Sequence, residues 1–178
     1  PGEDHAFGTI SNGLVTSLVN DQAEMLNLLN DPDKESGRFS GYIKSLKKVL
    51  NQNEVAEFKR LSADMEHMEG YDGSIDVNGK DFLMEILGPT LQEKSGKTGL
   101  PLIASSVGKT KNGHSVILKL IYDKVRILMG GDINEEAGEE LVSRLAQAGK
   151  LDSLEVDAAK ACHHGSMHFH YPFLQHLN

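Results

Sequence analysis

Ile127-Leu-Met-Gly-Gly-Asp132-Ile-Asn134 and Ala161-Cys-His163-His164-Gly165-Ser166 carry the reading of this chain. In the first, an apolar run ends on an acidic residue; in the second, a run rich in small residues ends on paired imidazoles. A helix-forming stretch lies between them. If the two runs are neighbouring strands, a carboxylate and a histidine reach the same edge of one sheet. Carboxylate and neutral imidazole are the usual protein ligands of catalytic zinc, and related divalent ions accept the same donors.

The intervening stretch has the marks of a helix. Asn134 suits the N-cap, Glu135 and Glu136 suit the positive end, and Leu141, Val142 and Leu145 form an apolar face that Gly149 stops. Leu154 to Cys162 then returns to the sheet as a short strand. Upstream, Ser115 to Tyr122 and Val125 to Met129 read as a hairpin turned at Asp123-Lys124, and Gly130-Gly131 frees the backbone to bend before Asp132.

Further back, residues 90–113 are rich in Gly, Lys, Ser and Thr and read as a long surface loop bordering a site. Ser74 to Val77, Asn78-Gly79 and Phe82 to Leu87 read as a second hairpin. Three helices are expected before it. The first runs from Gly13 through Leu14, Leu18, Met25 and Leu29 to a stop at Asp31-Pro32-Asp33. The second carries Tyr42, Ile43, Leu46, Val49 and Leu50. The third carries Val55, Phe58, Leu61, Met65 and Met68 and ends near Gly70. Its Met/Leu stripe is read as core, and His67 as an exposed helical residue. Pro1 to Gly8 is polar and turn-like and sets Asp4 beside His5.

The 178 residues, 39% apolar, suit one ordinary globular domain. A net charge of −8 speaks against a broad electrostatic surface for nucleic acid or for an anionic membrane. No apolar run approaches the roughly 18 residues of a membrane span, and no signal peptide is visible, so a soluble cytoplasmic protein is expected. The single cysteine, Cys162, leaves packing or metal to hold the fold.

Two readings stand for Asp132: a turn or capping residue, or a ligand able to give one oxygen to each of two ions. Adjacent His163 and His164 point different ways, so one can ligate while the other lines the pocket and moves a proton. His114 reads either as an exposed loop histidine or as a further ligand. Asp4-His5 is unremarkable alone. His168, His170 and His176 read as surface or groove lining, and Cys162 as a buried strand-end thiol.

These residues resemble a known family. Asn112-Gly-His-Ser-Val-Ile-Leu-Lys-Leu, a turn, Val125-Arg-Ile-Leu-Met-Gly-Gly-Asp132, a helix, and Asp157-Ala-Ala-Lys-Ala-Cys-His-His-Gly-Ser166 are similar to the second half of metallo-β-lactamase superfamily domains. The ComEC-type branch of competence proteins is the most similar. Its first motif, His-x-x-x-Asp-His followed by glycine, fits Pro1 to Gly8 with the leading histidine just before Pro1. The resemblance implies a four-layer αβ/βα sandwich, with the family's opening strands and closing strand outside this chain.

It also implies metal ligands at Asp4, His5, His114, Asp132 and His164, with Asp132 bridging two divalent ions, zinc first and manganese or iron as substitutes. Asp132 and His163 would be the catalytic pair of a hydrolase that turns a metal-bound hydroxide on an ester or phosphodiester of a small-molecule substrate. Two rivals stand beside it. A fold kept only for binding would retain ligands as relics; a DNA-processing domain, borrowed from the same branch, is weakened by the acidic charge and the lack of an aromatic-basic groove.

Overall fold

A computed structural model describes residues 9–30, 40–52, 58–76, 79–103, 106–168 and 170–177. The chain is of the α/β class and divides into two compact units, one formed by Leu18–Arg60 and the other by Pro1–Ser17 with Leu61–Asn178.

The smaller unit contains α1 (Gln22–Leu29) and α2 (Ser40–Asn51). Asp21 caps α1 by accepting from the Glu24 amide, and the Glu24 carboxylate accepts from the Asn20 amide. The Gln22 side chain donates to the Leu50 carbonyl at 2.8 Å, which ties the start of α1 to the end of α2.

The larger unit opens with β1 (Ile10–Ser11) and β2 (Leu14–Val15), joined by Asn12-Gly13 with both φ angles positive, as a tight hairpin turn requires. Here the helix expected from Gly13 is corrected. Leu14 and Val15 are fully or almost fully buried as strand residues facing β6 (Lys97–Pro101), and helix begins only at Gln22. The hairpin of β5 (Gln92–Lys94) and β6 completes a sheet in the order β1-β2-β6-β5. A Cβ on Gly99 would meet the Val15 carbonyl oxygen at 2.5 Å, so only glycine lets β6 come this close.

The second sheet runs β3-β4-β7-β8-β9, built from β3 (His67–Asp76), β4 (Asp81–Gly88), β7 (Ile117–Tyr122), β8 (Val125–Met129) and β9 (Ala158–Lys160). The first four strands pair antiparallel in succession, and β9 joins parallel to β8. Three elements follow or separate these strands: α3 (Val107–Gly113), α4 (Glu135–Gln147) and α5 (Tyr171–Gln175).

Two further expectations are corrected here. The helix foreseen through Val55 to Met68 is, over its described part, one short 3-10 turn at Ala63–Met65 followed by β3. Glu66 sits at φ 61, which ends helical winding, and the backbone of His67 pairs with that of Glu85. His67 therefore lies on a strand. The loop foreseen at 90–113 holds β5, β6 and α3, nucleated by a Ser95-Gly96 turn and by Ser106, whose hydroxyl accepts from the Lys109 amide.

α4 matches the sequence reading at both ends. The Asn134 side chain accepts from the Ala137 amide at 3.1 Å and donates to the Lys109 carbonyl at 2.7 Å. At the far end Gly149 takes φ +66 while the Gly149 and Lys150 amides reach back to the Ala146 and Leu145 carbonyls, closing a Schellman cap. Leu141 and Leu145 bury one helix face in a core shared with Leu87, Ile117 and Leu128 of the sheet and with Leu154, Cys162 and Phe173. The return strand is shorter than expected: Leu151–Leu154 is a 3-10 turn and only Ala158–Lys160 is β.

Candidate metal centre

The register Ile127↔Ala158, Leu128↔Ala159, Met129↔Lys160 makes β8 and β9 parallel neighbours, so their following residues leave the sheet at the same edge. Gly130 is needed where they leave, because a Cβ there would run into the Cys162 sulfur. The His163 amide then donates to the Gly131 carbonyl at 3.0 Å, and the Asp132 amide donates to the Ser115 hydroxyl at 2.9 Å. These bonds hold the two loops together. His164 Nε2 lies 3.4 Å from Asp132 Oδ1, with both side chains open to solvent at 79% and 40% exposure.

The paired histidines diverge, as adjacent residues must. Both adopt left-handed backbone, His163 at φ 46, ψ 44 and His164 at φ 54, ψ 27. Such a conformation costs about 1–3 kcal/mol for a non-glycine residue and persists only where its surroundings enforce it. Here the enforcing bonds run from the His163 amide to Gly131 and from the Ser166 amide to the His163 carbonyl. The strain sends His164 toward Asp132 and His163 toward Asn112, whose Nδ2 lies 3.4 Å from His163 Nε2. With Asn112 donating, the proton of a neutral His163 sits on Nδ1, which is buried and has no hydrogen-bond partner among the described residues. His163 also lines a cavity of about 240 Å³ with Lys109, Asn112, Glu135, Glu136 and His168. That places His168 in the groove-lining role expected of it.

His114 is placed otherwise. It caps the C-terminus of α3, and its Nε2 donates to the Pro101 carbonyl at 2.7 Å. That carbonyl ends β6 and takes the imidazole proton, which leaves Nδ1 as the nitrogen that a ligand role would use. Burial holds the His114 imidazole below its ordinary titration range, with the Pro101 carbonyl and Glu140 opposing. A histidine depressed in the fold binds fewer protons than in the unfolded chain. Stability is therefore complete above the unfolded value of about 6.5 and is lost as pH falls through the window below it. Urea midpoints measured across that window should fall toward acid in the natural chain, and the slope should flatten in His114→Gln.

Cys162 is a buried free thiol whose ionisation is pushed up by burial, with Lys160 opposing. It packs against the close approach at Gly130. Asp4 and His5 lie outside the described residues. Among the described residues no three His, Cys, Asp or Glu side chains converge as a metal group. Sequence reasoning missed the supports: Ser115 and Asn112 stand inside the stretch that suggested the family, yet nothing in their spacing reveals that they hold Asp132 and His163.

The donor chemistry can be tested against a metal. Two ligands bound at about 2.0–2.2 Å to a tetrahedral ion stand roughly 3.3–3.6 Å apart. Asp132 Oδ1 and His164 Nε2 are 3.4 Å apart and exposed, so they fit as two ligands of one ion. No family model matches the chain, and neither a curated protein nor a solved structure matches it. No helix among the described residues is long and apolar enough to cross a membrane.

Proposed function

We propose that the chain is a metal-dependent hydrolase domain of the metallo-β-lactamase type, with the four-layer αβ/βα sandwich of that superfamily. The observation that supports this most directly is the meeting of Asp132 and His164 at ligand-to-ligand distance, beyond the ends of two parallel strands. Asp132 and His164 would hold a divalent ion, and Asp4 and His5 are assigned the remaining protein positions by the resemblance of their motif. His114, its Nε2 held by Pro101, would join the set through Nδ1, as the resemblance implies.

Bound there, zinc, manganese or iron would supply Lewis acidity toward water and toward an ester or phosphodiester oxygen. The chain's own residues do the rest. Ser115 anchors the Asp132 backbone so that its carboxylate keeps a fixed position. Asn112 orients His163 beside the 240 Å³ cavity, where the imidazole would assist a leaving oxygen once Nε2 parts from Asn112 and carries the proton. The mixed acidic and basic lining of that cavity favours a small substrate over a long polyanion.

Metal analysis of the full-length protein, together with hydrolysis of bis(p-nitrophenyl) phosphate, tests this reading. Stoichiometric zinc or manganese and measurable turnover are expected, both lost in Asp132→Ala and in His164→Ala while circular dichroism stays unchanged. A folded natural protein that takes up no metal sinks the proposal. That outcome would favour a non-catalytic binding module, a reading that the two-donor set among the described residues supports.

A further inference from the structure

The unit of Leu18–Arg60 is built, over its described residues, from α1 and α2 alone. The Gln22 bond to the Leu50 carbonyl joins the start of one helix to the end of the other, so the two run antiparallel, about 12 Å and about 18 Å long. Each helix has one buried residue, Leu29 in α1 and Leu50 in α2. A unit of roughly forty residues stands at the size where a disulfide, a metal or oligomerisation usually completes the fold, and the chain's single cysteine, Cys162, lies outside it. Two helices also fall short of the four that close a bundle.

The apolar residues that a bundle would bury are in the open. Leu28 is 43% exposed on α1, and Tyr42 and Val49 are 68% and 36% exposed on α2. Tyr42 and Val49 stand seven apart and flank the half-buried Leu46, so they share one edge of α2. Leu28, three residues from the half-buried Met25, widens the apolar stripe of α1 in the same way. Scattered singly such residues are ordinary, but three of them beside two short stripes leave an uncovered apolar edge on each helix.

Charge decides what covers those edges. α1 and its N-cap carry Asp21 and Glu24 and no cation, whereas α2 carries Lys44, Lys47 and Lys48 and no anion, in a chain of net charge −8. Among the described residues Asp21 and Glu24 accept from backbone and amide N–H groups, and Lys44 and Lys48, both exposed, have no ion-pair partner. A twofold axis along the hairpin sets α1 of each copy on α2 of the other and satisfies both contacts at once. We propose that this unit is a self-association surface whose partner is a second copy of the chain, closing an antiparallel four-helix bundle with Leu28, Tyr42 and Val49 inside and Glu24 beside Lys44 and Lys48 across each seam. An anionic membrane or a foreign acidic protein would answer the lysines and leave Asp21 and Glu24 unanswered. The assignment is independent of the metal reading.

Sedimentation equilibrium of the full chain tests the assignment, with circular dichroism as the check on folding. A monomer–dimer equilibrium is expected, weakening as salt is raised because the ion pairs are exposed. Lys48→Glu should weaken association about tenfold, since the reversed charge enters twice per dimer, and Leu28→Asp should weaken it about tenfold or more. Glu24→Lys should act like Lys48→Glu. An equimolar mixture of those two variants should nevertheless associate more tightly than either alone, because each seam then joins opposite charges. Glu24→Gln keeps an acceptor for Asn20 and is the milder variant should lysine disturb the start of α1; it should weaken the dimer by less than Glu24→Lys does. A chain that stays monomeric up to about 1 mM, with or without binding to phosphatidylserine vesicles, would overturn the assignment. So would a dimer indifferent to both charge reversals, or variants that do not recover on mixing.

Discussion

Replacing Leu128 with alanine should lower stability by about 2–5 kcal/mol, read as a fall in the urea midpoint with little change in slope. Leu128 is fully buried in β8, between β7 and β9, under the apolar face of α4. Losing its side chain removes the transfer energy of three buried carbons and leaves a cavity that tightly paired backbone cannot collapse to fill. The same strand carries the chain to Asp132. Under the proposed metal-dependent function, metal affinity in Leu128→Ala should fall along with stability, whereas Asp132→Ala should lose the affinity and keep the stability. A loss under about 1 kcal/mol would mean that the core around β8 is much looser than its burial implies.

The second large effect is expected at Gly131, and Gly149 provides its control. Gly131 sits at φ +57, and a Cβ there would lie 2.8 Å from Ser115 Cβ and 2.9 Å from Ser115 Oγ. Gly131→Ala should cost about 1–2 kcal/mol for the left-handed backbone and about 1–3 kcal/mol more for the crowding. Ser115 is also the group that receives the Asp132 amide, so the push should reach Asp132 and the proposed metal site. Gly149 has φ +66 with open space around it, and Gly149→Ala should carry only the backbone part. Denaturation of the two variants separates the contributions. Equal losses would show that Ser115 yields freely and that Asp132 is not rigidly seated.

The last third of the chain was legible because local signals and tertiary demands agree there. Asn134, the two glutamates after it and Gly149 mark the ends of α4 by chemistry that operates within one turn. β7 and β8 are rich in β-branched and aliphatic residues, and Asp123, at φ 54, makes the turn that the sequence suggested. That Asp132 and a histidine would share an edge followed from reading two strand ends, and the parallel register supplies it.

Elsewhere spacing misled. Leu14, Leu18 and Met25 recur as a helix face would, but Asn12-Gly13 turns the chain and β6 offers Leu14 and Val15 a partner nearly 90 residues away. Met65 and Met68 keep helical spacing although β3 begins between them. Its order comes from pairing with β4, despite Gly70 and Gly73 at positive φ within it. Long-range pairing of this kind leaves no local trace. For His114 nothing in the spacing revealed the Pro101 carbonyl, 13 residues upstream, that receives its Nε2 proton.

The descent from β8 through α4 to β9 is one uninterrupted segment, and both Asp132 and His164 are delivered by it. Their juxtaposition is thus set within that one segment. Lengthening a connection outside that segment carries only a slowly growing entropic cost and leaves its internal register intact. A single residue inserted between Met129 and Ala158 would instead act on the one dimension the pair depends on. Changes in loops outside that segment should therefore leave the separation of the two side chains unchanged.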